Sequence, residues 1–229
     1  MGTLLLILLA LYGTLAGTEE KAGTSHREHQ RKVAAPQAES EAPTGAAAAG
    51  APGSVFVVGD SLAVGTEAPL SQLLPDWRIK TSAFTDRHTA DGVSQIVGMP
   101  NLPDVIVASL GTNDNPSETD RFAGEVEAVM DAAGPSRCVV WVNIARPPYA
   151  GVGYSGFNRV LTGISLSRPN LLVVDWARIS RSEPGLLGSD RVHATEQGYA
   201  VRAQAIASAI ASCGGVGGYG DASGAPIGD

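Results

Sequence analysis

From residue 54 onward the chain alternates between short apolar runs rich in β-branched residues and longer stretches of helical periodicity. The runs are "SVFVVGDS", "WRIKTSAF", "DVIVASLG", "CVVWVNIA" and "NLLVVDWA". Three of them are apolar almost without a break, the pattern of strands buried on both faces of a parallel sheet. The intervening periodicity predicts helices over residues 63–74, 89–98, 117–133, 154–167 and 195–212. The third is the most clearly marked. "SETDRFAGEVEAVMDAAG" opens on a Ser-x-x-Asp cap pattern at Ser117, sets Phe122, Val126, Val129 and Met130 on one face, and stops at Gly134. Five βα units in succession predict an α/β fold, a three-layer doubly wound parallel sheet of five strands with right-handed crossovers. Ligands of such folds bind beyond the carboxyl ends of the strands, so functional residues are expected there.

The pattern stops outside this core. "LLLILLALYGTLAG" is an apolar run of signal-peptide length, shorter than the roughly 20 residues of a full membrane span and without a basic segment before it. Residues 1–17 are therefore expected to serve export, as a signal peptide or as a membrane anchor, the latter including the stub of a longer one. Residues 18–53 carry mixed charge, Pro and Gly, with few apolar residues beyond alanine, and read as a disordered linker. His26 and His29 lie in it at a metal-like spacing, but no third ligand accompanies them, and they read as a solvated pair. Residues 214–229 form a flexible glycine-rich tail, which leaves 54–213 as the folded domain. The net charge of −7 offers no basic surplus to neutralise phosphates, so a general nucleic-acid binder is excluded.

Chemistry-bearing residues gather at the strand ends. The first strand runs into Gly59-Asp60-Ser61, and the third into "SLGTND", with Gly111, Asn113 and Asp114 in its turn. The fourth ends in "VNIARPP", with Asn143 and Arg146, and the last helix is preceded by "GSDRVHATEQGY", with Asp190 and His193. A serine hydroxyl attacks a carbonyl only when a base removes its proton, and His193 is the natural base. Asp190, three residues earlier, can hold one ring nitrogen, fix the tautomer and stabilise the imidazolium formed during attack. The developing oxyanion needs donors; the Asn113 amide and the Ser61 backbone N–H, at a helix N-terminus, can supply them. Asp60 reads as a turn cap. The elbow here is Gly-Asp-Ser-Leu-Ala, not the G-x-S-x-G of ordinary α/β-hydrolases.

Taken together, "VVGDSLAVGT", "SLGTND" and "DRVHATEQGY" resemble the first, third and fifth blocks of the SGNH hydrolases, a branch of the GDSL esterases and lipases. The resemblance spans about residues 54–212. It implies a flavodoxin-like SGNH hydrolase fold, Ser61 as nucleophile, His193 as general base and acid, Asp190 as its orienter, and Asn113 with the Ser61 amide as oxyanion donors. It also implies a further donor from a glycine after the second strand, where this chain has Asp86 in "AFTDRHTADGV". A backbone N–H can still donate there if Asp86 takes the required conformation, but its carboxylate opposes the charge it would help to stabilise. Arg87 and His88 read as exposed loop residues. Arg146 is read either as a grip on a polar substrate or as a hydrogen-bond partner of a loop carbonyl, and Gly111 as a further substrate contact. Tyr149 and Tyr154, near Gly151 and Gly153, are expected to form a mobile rim.

Cys138 begins the fourth strand and Cys213 follows the last helix, so both are expected on the face opposite the site, with a disulfide or two free thiols as the alternatives. The expected function is an extracytoplasmic serine esterase acting on short acyl esters, O-acetyl groups of cell-envelope carbohydrate among them, without metal or cofactor. The alternatives are an O-acyltransferase using the same triad and a non-catalytic glycan-binding module. The expected partners are a small-molecule or carbohydrate ester and, through the apolar N-terminal segment, a membrane.

Overall fold

The computed structural model of the chain describes residues 53–213. The N-terminal apolar segment, the linker up to residue 52 with His26 and His29, and the tail 214–229 lie outside the described residues. Five strands are present: β1 (Ser54–Gly59), β2 (Arg78–Ala83), β3 (Val105–Ser109), β4 (Cys138–Val142) and β5 (Leu171–Val174). Six helices accompany them among the described residues: α1 (Ser61–Leu73), α2 (Thr89–Val97), α3 (Thr119–Ala133), α4 (Ser155–Ser167), α5 (Trp176–Ser182) and α6 (Glu196–Ser212). The strands form one parallel sheet in the order β2-β1-β3-β4-β5. This is the flavodoxin-like doubly wound order, with its switch point between β1 and β3.

The continuous apolar runs are explained by burial on both faces. Every residue of β3 and β4 is buried. Side chains alternate across a strand, so Val55, Val57, Val105, Val107 and Val140 face one layer, against Leu70 of α1, Trp176 of α5 and Ile206 and Ile210 of α6. Phe56, Val58, Ile106 and Trp141 face the other, against Ile96, Phe122, Val126, Met130 and Phe157 of α2, α3 and α4. Each such side chain contributes about 1.5–3 kcal/mol on burial. β2 lies at the edge, and its exposed Arg78 and Lys80 suit a strand with only one neighbour.

Two local expectations are corrected. The Ser-x-x-Asp cap does not form: α3 starts two residues later than predicted, its cap position Glu118 makes no side-chain cap bond, and the Ser117 hydroxyl donates to Asn115 instead. The run "NLLVVDWA" is a strand only as far as Val174; Asp175 then caps α5 by accepting from the Arg178 N–H. Cys138 and Cys213 form a disulfide, with Cα atoms 5.7 Å apart, at the amino edge of the sheet. No described helix is long and apolar enough to cross a membrane.

Candidate active site

The site lies at the carboxyl edge of the sheet, across the switch point. β1 ends at Gly59, where a Cβ would stand 2.4 Å from that of Ala63 and 2.9 Å from that of Ser109. Only glycine lets the chain turn this tightly out of the sheet. Asp60 follows as the N-cap of α1: its backbone N–H donates to the Ser109 carbonyl (3.1 Å), and its Oδ1 accepts from the Leu62 N–H (2.9 Å). Ser61 is thereby fixed in the first turn of α1, two residues ahead of the predicted start, with its N–H among the helix donors that have no intrahelical partner.

The Ser61 hydroxyl lies 3.0 Å from His193 Nε2, and His193 Nδ1 lies 2.7 Å from Asp190 Oδ2. A carboxylate only accepts, so Nδ1 carries the proton and Nε2 is left to accept from Ser61. Asp190 Oδ1 accepts from the Val192 and His193 N–H groups at 2.9 and 3.0 Å. Partial burial pushes this carboxyl up, but the bonds from the His193 ring and from both backbone amides outweigh it and hold it below its ordinary value. The loop is itself braced. Leu187 bridges Ala194, Gly188 N–H donates to the His193 carbonyl (2.8 Å), and Thr195 caps α6.

Asn113, after β3, donates from Nδ2 to the Arg87 carbonyl (3.1 Å), which uses one of its two amide hydrogens. Asp86 adopts φ 60°, the left-handed conformation that a glycine would take most easily. Its neighbour Arg87 corrects the exposed-loop reading. It is 4% exposed, donates to the Ser82 carbonyl and hydroxyl and to Gln95 Oε1, and stacks over Phe84 at 3.8 Å. His88 is exposed, and its Nδ1 meets Asp114 Oδ1 at 3.0 Å. The buried Asp114 also accepts from the Thr89 N–H and hydroxyl, which ties α2 to the β3 turn.

Three other expectations change. Gly111 is buried at φ 110°, where a Cβ would meet Ile144 Cδ1 at 3.0 Å and Phe122 Cε2 at 3.2 Å, so the turn by itself accounts for the glycine. Tyr154 is not a rim residue: it is 3% exposed, with its hydroxyl against the Asp114 and Thr112 carbonyls, whereas Tyr149 is 52% exposed. Arg146 donates to the Thr112 carbonyl, so the loop-carbonyl reading holds for one of its nitrogens. Asn143 joins β4 to α5 through Asp175 and the Ala177 N–H.

One element escaped the sequence reading. Arg202 of α6, 1% exposed, donates to Thr66 and Ser109 hydroxyls beneath the site. Burial lowers its pKa to about 10, against the opposing pull of Asp60. Burial raises the Asp60 carboxyl, while the Leu62 amide and Arg202 oppose the rise. The signal was present: Arg202 falls within the apolar stripe of α6, beside Ala203 and ahead of Ile206 and Ile210. Among the described residues, no group of three or more His, Cys, Asp or Glu is arranged to hold a metal ion.

A parallel sheet of this order with Ser, His and Asp at its carboxyl edge defines the SGNH hydrolase fold, and the chain has that fold. It is similar to the C-terminal catalytic domain of peptidoglycan O-acetyltransferase A from Streptococcus pneumoniae, with a TM-score of 0.61 and 19% identity over 72% of this chain and 97% of that one. It is similar also to a carbohydrate esterase of family 3 from Talaromyces cellulolyticus, with a TM-score of 0.55 and 18% identity over 69% and 96%. A lipolytic G-D-S-L family member from Veillonella parvula gives a TM-score of 0.55 at 15% identity over 68% and 95%. No family model matches the sequence, and no curated protein matches it significantly.

Proposed function

We propose that the protein is a serine esterase of the SGNH type that cleaves short acyl esters, O-acetyl groups on cell-envelope carbohydrate in particular. The observation that carries this reading is the unbroken relay from Ser61 Oγ to His193 Nε2 (3.0 Å) and from His193 Nδ1 to Asp190 (2.7 Å). His193 takes the hydroxyl proton as Ser61 attacks the ester carbonyl. The tetrahedral oxyanion receives hydrogen bonds from the Ser61 N–H, the second Asn113 amide hydrogen and the Asp86 N–H. Collapse breaks the C–O bond to the alcohol, which takes the proton from His193. Water, deprotonated by the same ring, then attacks the acyl-enzyme, releases the carboxylic acid and restores Ser61. Export of the chain is part of the proposal, supported by the apolar N-terminal run and by a disulfide that suits an oxidising compartment. Ser61→Ala should stay folded and lose p-nitrophenyl acetate hydrolysis; unchanged turnover would end the proposal.

The likeness to an O-acetyltransferase catalytic domain favours a second reading, in which a sugar hydroxyl replaces water as the acceptor. Product analysis with and without a glycan acceptor separates the two. The third expectation, a non-catalytic glycan-binding module, rested on the substitution at Asp86. The left-handed backbone there weakens that argument, since the chain path a glycine would allow is kept.

A further inference from the structure

At the carboxyl end of β4 the surface opens into a cavity of about 330 Å³ whose wall includes Arg146, Arg181, Leu187 and Arg191. No Asp or Glu lines it. Three guanidinium groups without a carboxylate are a strong local bias in a chain with 23 acidic against 16 basic residues. Among the described residues, the ion pairs formed by arginine engage Arg121, Arg168 and Arg178, and none of these three. Arg146 has the Thr112 carbonyl as its hydrogen-bond partner and lies 5.8 Å from the Tyr154 ring centre, with no carboxylate paired to it among the described residues.

Two of the cavity's arginines are tied to the elements that carry the candidate site. Arg191 stands two residues before His193 in the same braced loop, and Arg146 holds the carbonyl of Thr112, next to Asn113. Its volume is at the lower end of the range for small-molecule sites, about 300–1,000 Å³. Pro147 and Pro148 add flat apolar surface to the same wall.

We propose that this cavity is a subsite for a carboxylate-bearing sugar of the glycan whose ester is presented to Ser61. Arg146, Arg181 and Arg191 supply the forked donors that fit a carboxylate, and the two prolines a face for the ring carbons. That the ligand is a glycan ester rests on the esterase reading above; the preference for an anion does not.

The test is calorimetric titration of the full chain carrying Ser61→Ala, with an O-acetylated tetragalacturonide and with the same oligosaccharide after its carboxyl groups are reduced to alcohols. The charged oligosaccharide should bind about tenfold more tightly or better. Arg181→Gln and Arg191→Gln should each weaken it by up to about fivefold, the range of an exposed ionic contact. High salt should erase the preference. Equal affinity for the two oligosaccharides, no binding of either, or a charged affinity indifferent to both substitutions overturns the proposal. Tighter binding of a sulfated than of a uronate oligosaccharide overturns the carboxylate assignment. A wild-type chain inert toward p-nitrophenyl acetate would overturn the esterase reading instead, while the titration would still decide the subsite.

Discussion

Asp190 offers the sharpest test of the relay, because it can be removed without touching the nucleophile or the base. Its carboxylate accepts from His193 Nδ1 at 2.7 Å and from two backbone N–H groups at 2.9 and 3.0 Å. In the transition state His193 is an imidazolium, and a hydrogen bond between charged groups contributes about 1.5–3 kcal/mol. The Asp190 side chain is 40% exposed, so water replaces part of what alanine removes. About 2 kcal/mol of that interaction corresponds to roughly 30-fold in kcat. Loss of ring orientation adds to it, although a fully buried triad aspartate in other serine hydrolases is worth about 10⁴. Asp190→Ala should therefore lower kcat on p-nitrophenyl acetate by about 10²-fold with little change in KM, since the interaction strengthens only as the imidazolium forms. Asp190→Asn should be no better. Its amide nitrogen facing Nδ1 selects the tautomer with the proton on Nε2, which cannot accept from Ser61. The folded-state carboxyl is held below its ordinary value, so its stabilising bonds are complete above the ordinary range near pH 3.9 and fail only as the pH falls through the lowered value. A decrease of less than threefold for Asp190→Ala, in a chain with wild-type circular dichroism, would refute the relay.

Three further outcomes follow from the same geometry. The Cys138–Cys213 bridge closes a loop of 75 residues, which in the chain-entropy account contributes about 4 kcal/mol, so a Cys138→Ser/Cys213→Ser chain should melt about 8–16 °C lower by scanning fluorimetry. A shift within about 2 °C would show that the bridge does not restrain the unfolded chain. Arg202→Met removes two buried hydrogen bonds, to the Thr66 and Ser109 hydroxyls, and should cost about 2–4 kcal/mol in urea unfolding; wild-type stability would show that these bonds contribute nothing net. Asp86→Gly removes the carboxylate of the residue proposed to donate its N–H to the oxyanion and should raise kcat by up to about fivefold. A fall in kcat would show that the aspartate side chain itself takes part.

How far the sequence could be read depends on where the determining contacts lie. β1, β3 and β4 are legible because burial on both faces leaves no room for polar alternation, so a local pattern reports a global position. α5 is not: it has seven residues, too few for an amphipathic stripe to repeat, and it follows β5 after the single residue Asp175. Ser61, Asn113, Asp190 and His193 could be named because each stands directly beyond a strand or before a helix, where chain order alone fixes its edge of the sheet. Arg87 and Tyr154 were misread for the opposite reason. Their burial depends on distant acceptors, Gln95 on α2 for Arg87 and the Thr112 and Asp114 carbonyls for Tyr154, which no local window contains.

The turn after β2 shows how a departure from the expected glycine can be tolerated. A non-glycine residue in the left-handed region costs on the order of 1–2 kcal/mol, somewhat less for aspartate, and persists where its surroundings hold it in place. Here they do so from both sides. Arg87, the next residue, is pinned by its bonds to Ser82 and Gln95 and by the Phe84 ring, so the chain after Asp86 has a fixed course. Its carbonyl accepts from Asn113, which binds the turn to the second proposed oxyanion donor. The contact costs Asn113 one hydrogen and fixes the plane of its amide, and therefore the direction of the other. The contact thus links the course of the chain after Asp86 to the orientation of Asn113. On this reasoning Arg87, which touches no substrate in the proposed mechanism, holds the carbonyl that orients the proposed oxyanion donor Asn113.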